Sequence, residues 1–228
     1  MQVHVAESYA ELEQRLVAGE VDFAWAPPLV CAKAEPRARA ILKAVRSGKS
    51  TYCSALVGRE ERGLTVSAPS LAGLRAAWVD PLSAGGYLLP ALYLRAQGCE
   101  PDRTFSSQVF LGSYRAALRA VIVGDADVAP VYASDATEEA ARTAMAECVG
   151  PERTRLAPIA YSGEAPNDGF ILTDRFSRGA ADAFVKRLAP FAAASQGPNL
   201  LLAVLAADRL ELAAAGEYGR FAARLKAG

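Results

Sequence analysis

The run from Arg75 to Tyr132 constrains the fold of this chain more than any other stretch. RAAWVD (Arg75 to Asp80) reads as a strand, PLSAGG as a small-residue loop, and YLLPALYLRAQG as a helix closed by Gly98. SQVFLG then reads as a strand, SYRAALRAVIVG as a helix and DVAPVY as a strand. A β-loop-α-β-α-β series of about 60 residues calls for a parallel sheet with right-handed crossovers. Pro90 falls inside the first helical pattern, so it belongs near the first turn or at a kink.

The flanks add elements of both kinds. Ser8 caps a first helix, with Glu11 three residues on completing a capping box and Leu12, Leu16 and Val17 sharing one face. Val21 to Trp25 is a short buried strand stopped by Pro27 and Pro28. Ile41 to Val57 holds one or two strands, Arg155 to Tyr161 another, and GFILT a short apolar one. Helices are expected over Ser177 to Ala194, Leu200 to Leu212 and around Tyr218 to Leu225.

Composition excludes several classes of function. Twenty-five basic and twenty-five acidic side chains cancel, so no global field recruits nucleic acid or acidic membrane. Aromatics are few and scattered, without the stacking platforms of single-strand binders. No stretch reaches the roughly 20 apolar residues of a bilayer span. The N-terminus MQVHVAESYAELEQRL shows no basic region followed by an apolar one. As written the chain is cytoplasmic, or periplasmic if its leader is missing. Cys31, Cys53, Cys99 and Cys148 lie far apart with no CxxC pair, which argues for buried free thiols rather than zinc. One disulfide stays open, because connectivity does not follow from sequence.

Catalytic constellations are short of parts. His4 is the only histidine and sits at the N-terminus, so Ser-His-Asp and Cys-His sets lack a base. SGKST (Ser47 to Thr51) imitates the end of a P-loop, but Lys43 stands where that motif needs glycine. No GxGxxG occurs. PLSAG lacks the first glycine of a nucleophile elbow. Asp125 and Asp127 lie at a helix end and a strand start, where surface capping is the plain reading. No cofactor and no resident metal is called for, and the chain is read as a binder rather than an enzyme.

What remains is DPLSAGGYLLP (Asp80 to Pro90), small residues placed where a strand ends and a helix begins. That junction exposes orphan N–H groups and the positive end of the helix dipole. Gly85 and Gly86 would let an anion reach the backbone. LGSYRA (Leu111 to Ala116) repeats the arrangement, with Ser113 as N-cap. Two well-capped helices without a ligand would look the same.

Together, VDFAWAPP, TYCSALVGRE, SLAGLRAAWVDPLSAGGYLLP, LGSYRAALRAVIVGDADVAPV and APNDGF resemble the phosphonate/phosphite-binding proteins of ABC importers, from about residue 7 to the end. The resemblance implies the type 2 periplasmic-binding fold: a two-lobed α/β architecture with mixed, mainly parallel sheets and a ligand cleft between the lobes. One lobe would comprise 1–77 plus 162–228, the other 78–161. The family's Ser-Thr-Ser-Gly-Tyr loop falls on Ser83, Ala84, Gly85, Gly86 and Tyr87, so two hydroxyls are lost. Its Gly-Ser-His falls on Gly112, Ser113 and Tyr114, a phenol replacing an imidazole. Trp25 and Tyr52 match aromatic pocket positions, and Asn167 and Asp168 occupy the loop facing the cleft. The carboxylate that meets an amine in some relatives has no match, and Tyr132 stands nearby. Each position has a structural alternative: core for Trp25, sheet surface for Tyr52, a turn for Asp168.

The family also opens with a strand and helix not found here, which leaves a reduced first sheet and the option of a homodimer through an exposed sheet edge. The expected function is non-catalytic binding of a small oxyanion by a solute-binding or ligand-sensing module, with an ABC permease or a sensor domain as partner. The alternatives are an intracellular regulatory domain with a vestigial pocket and, last, a small-molecule enzyme on this fold.

Overall fold

Short polar residues set the helix starts in this protein, and glycines close several of them. Ser8 Oγ accepts from the Glu11 amide at 3.2 Å, opening α1 (Tyr9–Ala18), and Gly19 ends it at φ 73°. The Glu11 carboxylate returns to the Glu7 amide (2.7 Å), one residue before the capping-box position, and also takes His4 and Arg15. A computed structural model describes residues 2–193, 203 and 205–227. After α1 come β1 (Phe23–Ala26), α2 (Pro28–Ala34), β2 (Ala38–Val45), β3 (Thr51–Arg59), α3 (Ala68–Leu71) and β4 (Arg75–Trp78). A wide turn, Ala84–Leu88, runs into α4 (Leu89–Ala96), followed by α5 (Pro101–Thr104), β5 (Ser107–Phe110), α6 (Tyr114–Val123) and β6 (Val128–Ala133). The chain continues through α7 (Glu138–Val149), β7 (Leu156–Tyr161), β8 (Ala165–Pro166), β9 (Gly169–Thr173), α8 (Arg178–Ala193), β10 (Arg209–Leu212) and α9 (Glu217–Ala227).

Two compact units result. The first holds Met1–Thr51 and Pro166–Arg224, the second Tyr52–Ala165 and Leu225–Gly228. Unit one carries a four-stranded sheet, β1-β9-β2-β10, antiparallel throughout, with β1 and β10 as its edges. Leu16, Val30, Cys31, Ile41, Ile171 and Tyr218 pack one core beside it. Unit two carries a six-stranded sheet in which β5-β4-β6-β3-β7 run in order and β8 pairs with β3. Its central strands β3, β4 and β6 bury both faces, so successive residues serve opposite cores. Ala55, Val57, Ala77 and Val131 meet α6 and α7 through Leu118, Val121, Ile122 and Met145. Leu56, Ala76, Trp78 and Val128 face the other way, toward Leu71, Leu94 and Phe105.

Several expectations are corrected here. Residues 52–77, placed in the first lobe from sequence, belong with the second unit because β3 hydrogen-bonds along its length to β6 and β7. Parallel pairing, expected to dominate, joins β4 to β5 and to β6, whereas β3 pairs antiparallel with β6 and β7 and the first sheet is antiparallel. The helix expected over Leu200 to Leu212 gives way to a strand at Arg209–Leu212, paired with β2, while positions 200–202 and 204 lie outside the described residues. Helix α7 was not anticipated, although Thr137 caps it through the Ala140 amide and Glu138 and Glu139 fill its first turn. SGKST is a tight turn: Ser47 and Gly48 take φ 50° and 75°, and Arg46 and Lys49 exchange backbone hydrogen bonds. Pro90 sits in the first turn of α4. All four cysteines are free thiols, three of them buried. No described helix is long and apolar enough to cross a membrane.

Asp127 is not a surface cap. It is 7% exposed and accepts from Arg62 (2.5 Å), the Arg75 side chain (3.0 Å) and the Arg75 amide (2.9 Å), tying the starts of β4 and β6 to the turn after β3. Burial works to raise its carboxyl, but the Arg75 and Arg62 contacts outweigh that and hold it below its ordinary value of 3.8. Such a group stabilises the fold fully above the ordinary carboxylate value and loses that contribution as pH falls through the depressed one. Asp127→Asn is therefore expected to cost about 1–3 kcal/mol at pH 7 in urea unfolding, with the gap from wild type closing below about pH 4. Equal stability at pH 7 would contradict this role.

Candidate functional site

The end of β4 determines the site in unit two. The Val79 amide donates to the Gly86 carbonyl (3.1 Å), and the Val79 carbonyl accepts from the Gly112 amide (2.9 Å). The chain then reverses: Asp80 Oδ1 accepts from Leu82 N (2.7 Å), and its carbonyl accepts from Ser83 N (3.0 Å). Ser83, 5% exposed, caps the Gly86 amide through Oγ at 3.1 Å. The Ser83 carbonyl takes both the Tyr87 and Leu88 amides, which widens the first turn beyond an ordinary α-helix. Widened turns of this kind recur at functional sites. At its head the Ala84 and Gly85 amides have no intrahelical carbonyl to meet.

The two glycines play different parts. A Cβ on Gly86 would run into Val79 and stand 2.6 Å from Ser83 Oγ, so this glycine packs the turn onto the strand end. Its amide is taken by Ser83, which removes the backbone-contact role expected for it. A Cβ on Gly85 would stand 2.6 Å from the Tyr114 hydroxyl oxygen and 2.8 Å from Tyr52 Cε2. The Gly85 carbonyl accepts from Ser54 Oγ at 2.6 Å. Ala84 is buried.

The second helix head lies alongside. Gly112 takes φ 77°, and Ser113 Oγ caps the Ala116 amide at 3.2 Å to start α6. Tyr114 meets Tyr132 edge-on, with ring centroids 5.3 Å apart, and the Tyr132 hydroxyl donates to the Glu147 carboxylate. Around Gly85 the structure thus brings together Tyr52, Ser83, Ala84, Gly86 and Tyr114, with Tyr132 joined through Tyr114 and Ser113 exposed at its helix head. Tyr87 is not among them: its ring packs edge-on against Trp78 (5.5 Å) and Phe110 (5.1 Å).

In unit one, Trp25 lies under the Arg46 guanidinium, 5.9 Å from ring centroid to Cζ. Arg46 also donates to Asp168 (2.9 Å) and to the Ala206 carbonyl (2.9 Å). Burial pushes the Asp168 carboxyl up, and Arg46 pulls against it. Asn167 is a structural anchor, 1% exposed. Its side chain donates to the Ala44 and Lys49 carbonyls at 3.0 Å each, and its own carbonyl accepts from Tyr218 (2.7 Å). Arg46 and Ser54 were missed from sequence. Arg46 hid beside the false P-loop, whereas Ser54 is the one hydroxyl within the apolar run Cys53 to Val57. Ser83→Ala is expected to cost about 1 kcal/mol and to speed hydrogen exchange at the Gly86 amide; unchanged exchange there would remove the cap from the account.

The profile of one protein family, described as "ABC transporter, phosphonate, periplasmic substrate-binding protein", matches residues 1–218. A search of curated proteins returns no relative. Among solved structures, a binding protein component of an ABC phosphonate transporter from Pseudomonas aeruginosa is 19% identical, with TM-score 0.80 over 99% of this chain and 74% of that one. A Xanthomonas citri protein bound to ATP is 15% identical, with TM-score 0.80 over 99% and 85% of the two chains. A Prochlorococcus marinus protein in complex with methylphosphonate is 18% identical, with TM-score 0.76 over 96% and 82%. At these identities the likeness establishes the fold.

Proposed function

The chain belongs to the family of periplasmic substrate-binding proteins of phosphonate ABC transporters, and from that premise we propose that it binds a small phosphonate-type oxyanion at the head of the turn Ala84–Leu88 and passes it on unaltered. The observation that carries this reading is the pair of amides on Ala84 and Gly85, left unmatched by the helix, with the phenols of Tyr52 and Tyr114 packed against the side-chain position of Gly85. Amides at a helix head favour an anion through their partial charge, each such contact contributing about 0.3–2 kcal/mol. Several donors must therefore act together. The methylphosphonate in the Prochlorococcus marinus relative supports the choice of ligand class.

In this reading no bond is made or broken. His4, the only histidine of the chain, is bonded to Glu11 on α1 in unit one. Ser54 donates to the Gly85 carbonyl, and Ser83 and Ser113 accept from the Gly86 and Ala116 amides. Transfer to an ABC permease completes the role, and no cofactor enters it. In unit one, Trp25, Arg46 and Asp168 are a second set of candidate ligand contacts, with Asp168 already neutralised by Arg46.

A thermal-shift series with methylphosphonate, phosphite, inorganic phosphate, sulfate and ATP tests the reading. A bound phosphonate at 100 times its Kd stabilises by about 2.7 kcal/mol, which raises Tm by several degrees. Stabilisation by methylphosphonate or phosphite, and not by sulfate, is the expected result. No shift with either phosphorus oxyanion would overturn it, as would a response to ATP alone.

A further inference from the structure

Gly85 is not a glycine for reasons of backbone conformation. It is absent from the described glycines with positive φ, and it lies inside a helical turn, where glycine is about 1 kcal/mol worse than alanine. The requirement is space. An added methyl would come within 2.6 Å of the Tyr114 hydroxyl oxygen and 2.8 Å of the Tyr52 ring, closer than carbon approaches either.

Neither side of that contact yields easily. The Gly85 carbonyl is held by Ser54 Oγ at 2.6 Å, which fixes the turn against β3. Tyr114 stands in the first turn of α6 and is braced edge-on by Tyr132, whose hydroxyl is fastened to Glu147 on α7. The phenol oxygen is therefore set over the turn head from a separate helix, in the volume a side chain at position 85 would need.

Building on the phosphonate-binding reading, we propose that Gly85 and Tyr114 form one coupled specificity element, in which the glycine admits the Tyr114 phenol and the phenol supplies the side-chain hydroxyl to the ligand. The contacts it creates are neutral. The amides of Ala84 and Gly85 and the phenols of Tyr52 and Tyr114 carry no formal charge at neutral pH, and aromatic rings back them. Such a set favours an organophosphonate with a small apolar substituent over inorganic phosphate, whose greater charge it does not match and whose shape leaves the ring faces unfilled.

A double-mutant cycle over Gly85→Ala and Tyr114→Ala tests the pairing, with Tm read without ligand and affinity read by calorimetry with methylphosphonate and with inorganic phosphate. Without ligand, Gly85→Ala should lower Tm by roughly 4 °C or more in the wild-type background and by less in the Tyr114→Ala background, where only the Tyr52 ring, 2.8 Å from the added methyl, still has to give way. With methylphosphonate, Gly85→Ala should weaken binding about ten-fold alone and less than about two-fold once Tyr114 is truncated. Tyr114→Phe, which keeps the ring, should weaken methylphosphonate binding about five-fold. Wild-type protein should prefer methylphosphonate to phosphate.

Independent effects of the two substitutions on both Tm and affinity would overturn the coupling while leaving phosphonate binding intact. Coupling in Tm alone, with Tyr114→Phe binding as tightly as wild type, would overturn the hydroxyl's role. Wild-type protein that binds neither probe would overturn the ligand half together with the phosphonate reading, whatever the Tm cycle shows.

Discussion

Where β4 stops, its backbone has to hand its polar groups to something else, and the sequence gives it the turn that follows. The Gly86 carbonyl takes the Val79 amide while Ser83 Oγ takes the Gly86 amide, so the turn is closed onto the strand from within. That closure accounts for the neighbouring residue choices. Gly86 must be glycine because Val79 and Ser83 fill the place of its side chain. Ser83 must be short and polar because it is buried while capping. Two amides, on Ala84 and Gly85, are left over at the end where the helix dipole is positive. The binding chemistry proposed for this protein is the residue of that arrangement: what the turn does not use for itself.

The same economy appears in the side chains around it. Serines around the turn meet backbone groups in two ways: Ser54 donates to the Gly85 carbonyl, whereas Ser83 and Ser113 accept from the Gly86 and Ala116 amides. The binding reading proposed for this site adds the phenols of Tyr52 and Tyr114, which come from β3 and α6. In unit one the pattern repeats with charge, since Arg46 neutralises Asp168 and covers Trp25.

Local signals were legible in the sequence, and distant partnerships were not. Ser8 and Ser113 marked their helices because an N-cap acts within three residues. The alternation from Arg75 to Tyr132 marked the parallel strands, and the strand-to-helix junction at Asp80 to Pro90 was read on the same grounds. The family resemblance located Tyr52 and Tyr114 but could not place them over Gly85, because the phenol and the glycine come from different elements. The Arg46–Asp168 pair spans 122 positions, and nothing local signals it. The assignment of β3 failed for the same reason: an apolar strand carries no mark of which sheet it joins until β6 and β7 are seen beside it. Asp127 read as a surface cap because its two arginines, at positions 62 and 75, lie outside its local window.

The central claim is that the free amides at the head of the turn meet the ligand and the capped one does not. An amide-resolved NMR titration of the intact protein with methylphosphonate addresses it directly. The account predicts that the Ala84 and Gly85 amide protons move downfield as the site saturates, while the Gly86 amide, held by Ser83, moves far less. Saturable binding that leaves Ala84 and Gly85 where they were would place the ligand elsewhere and contradict the account.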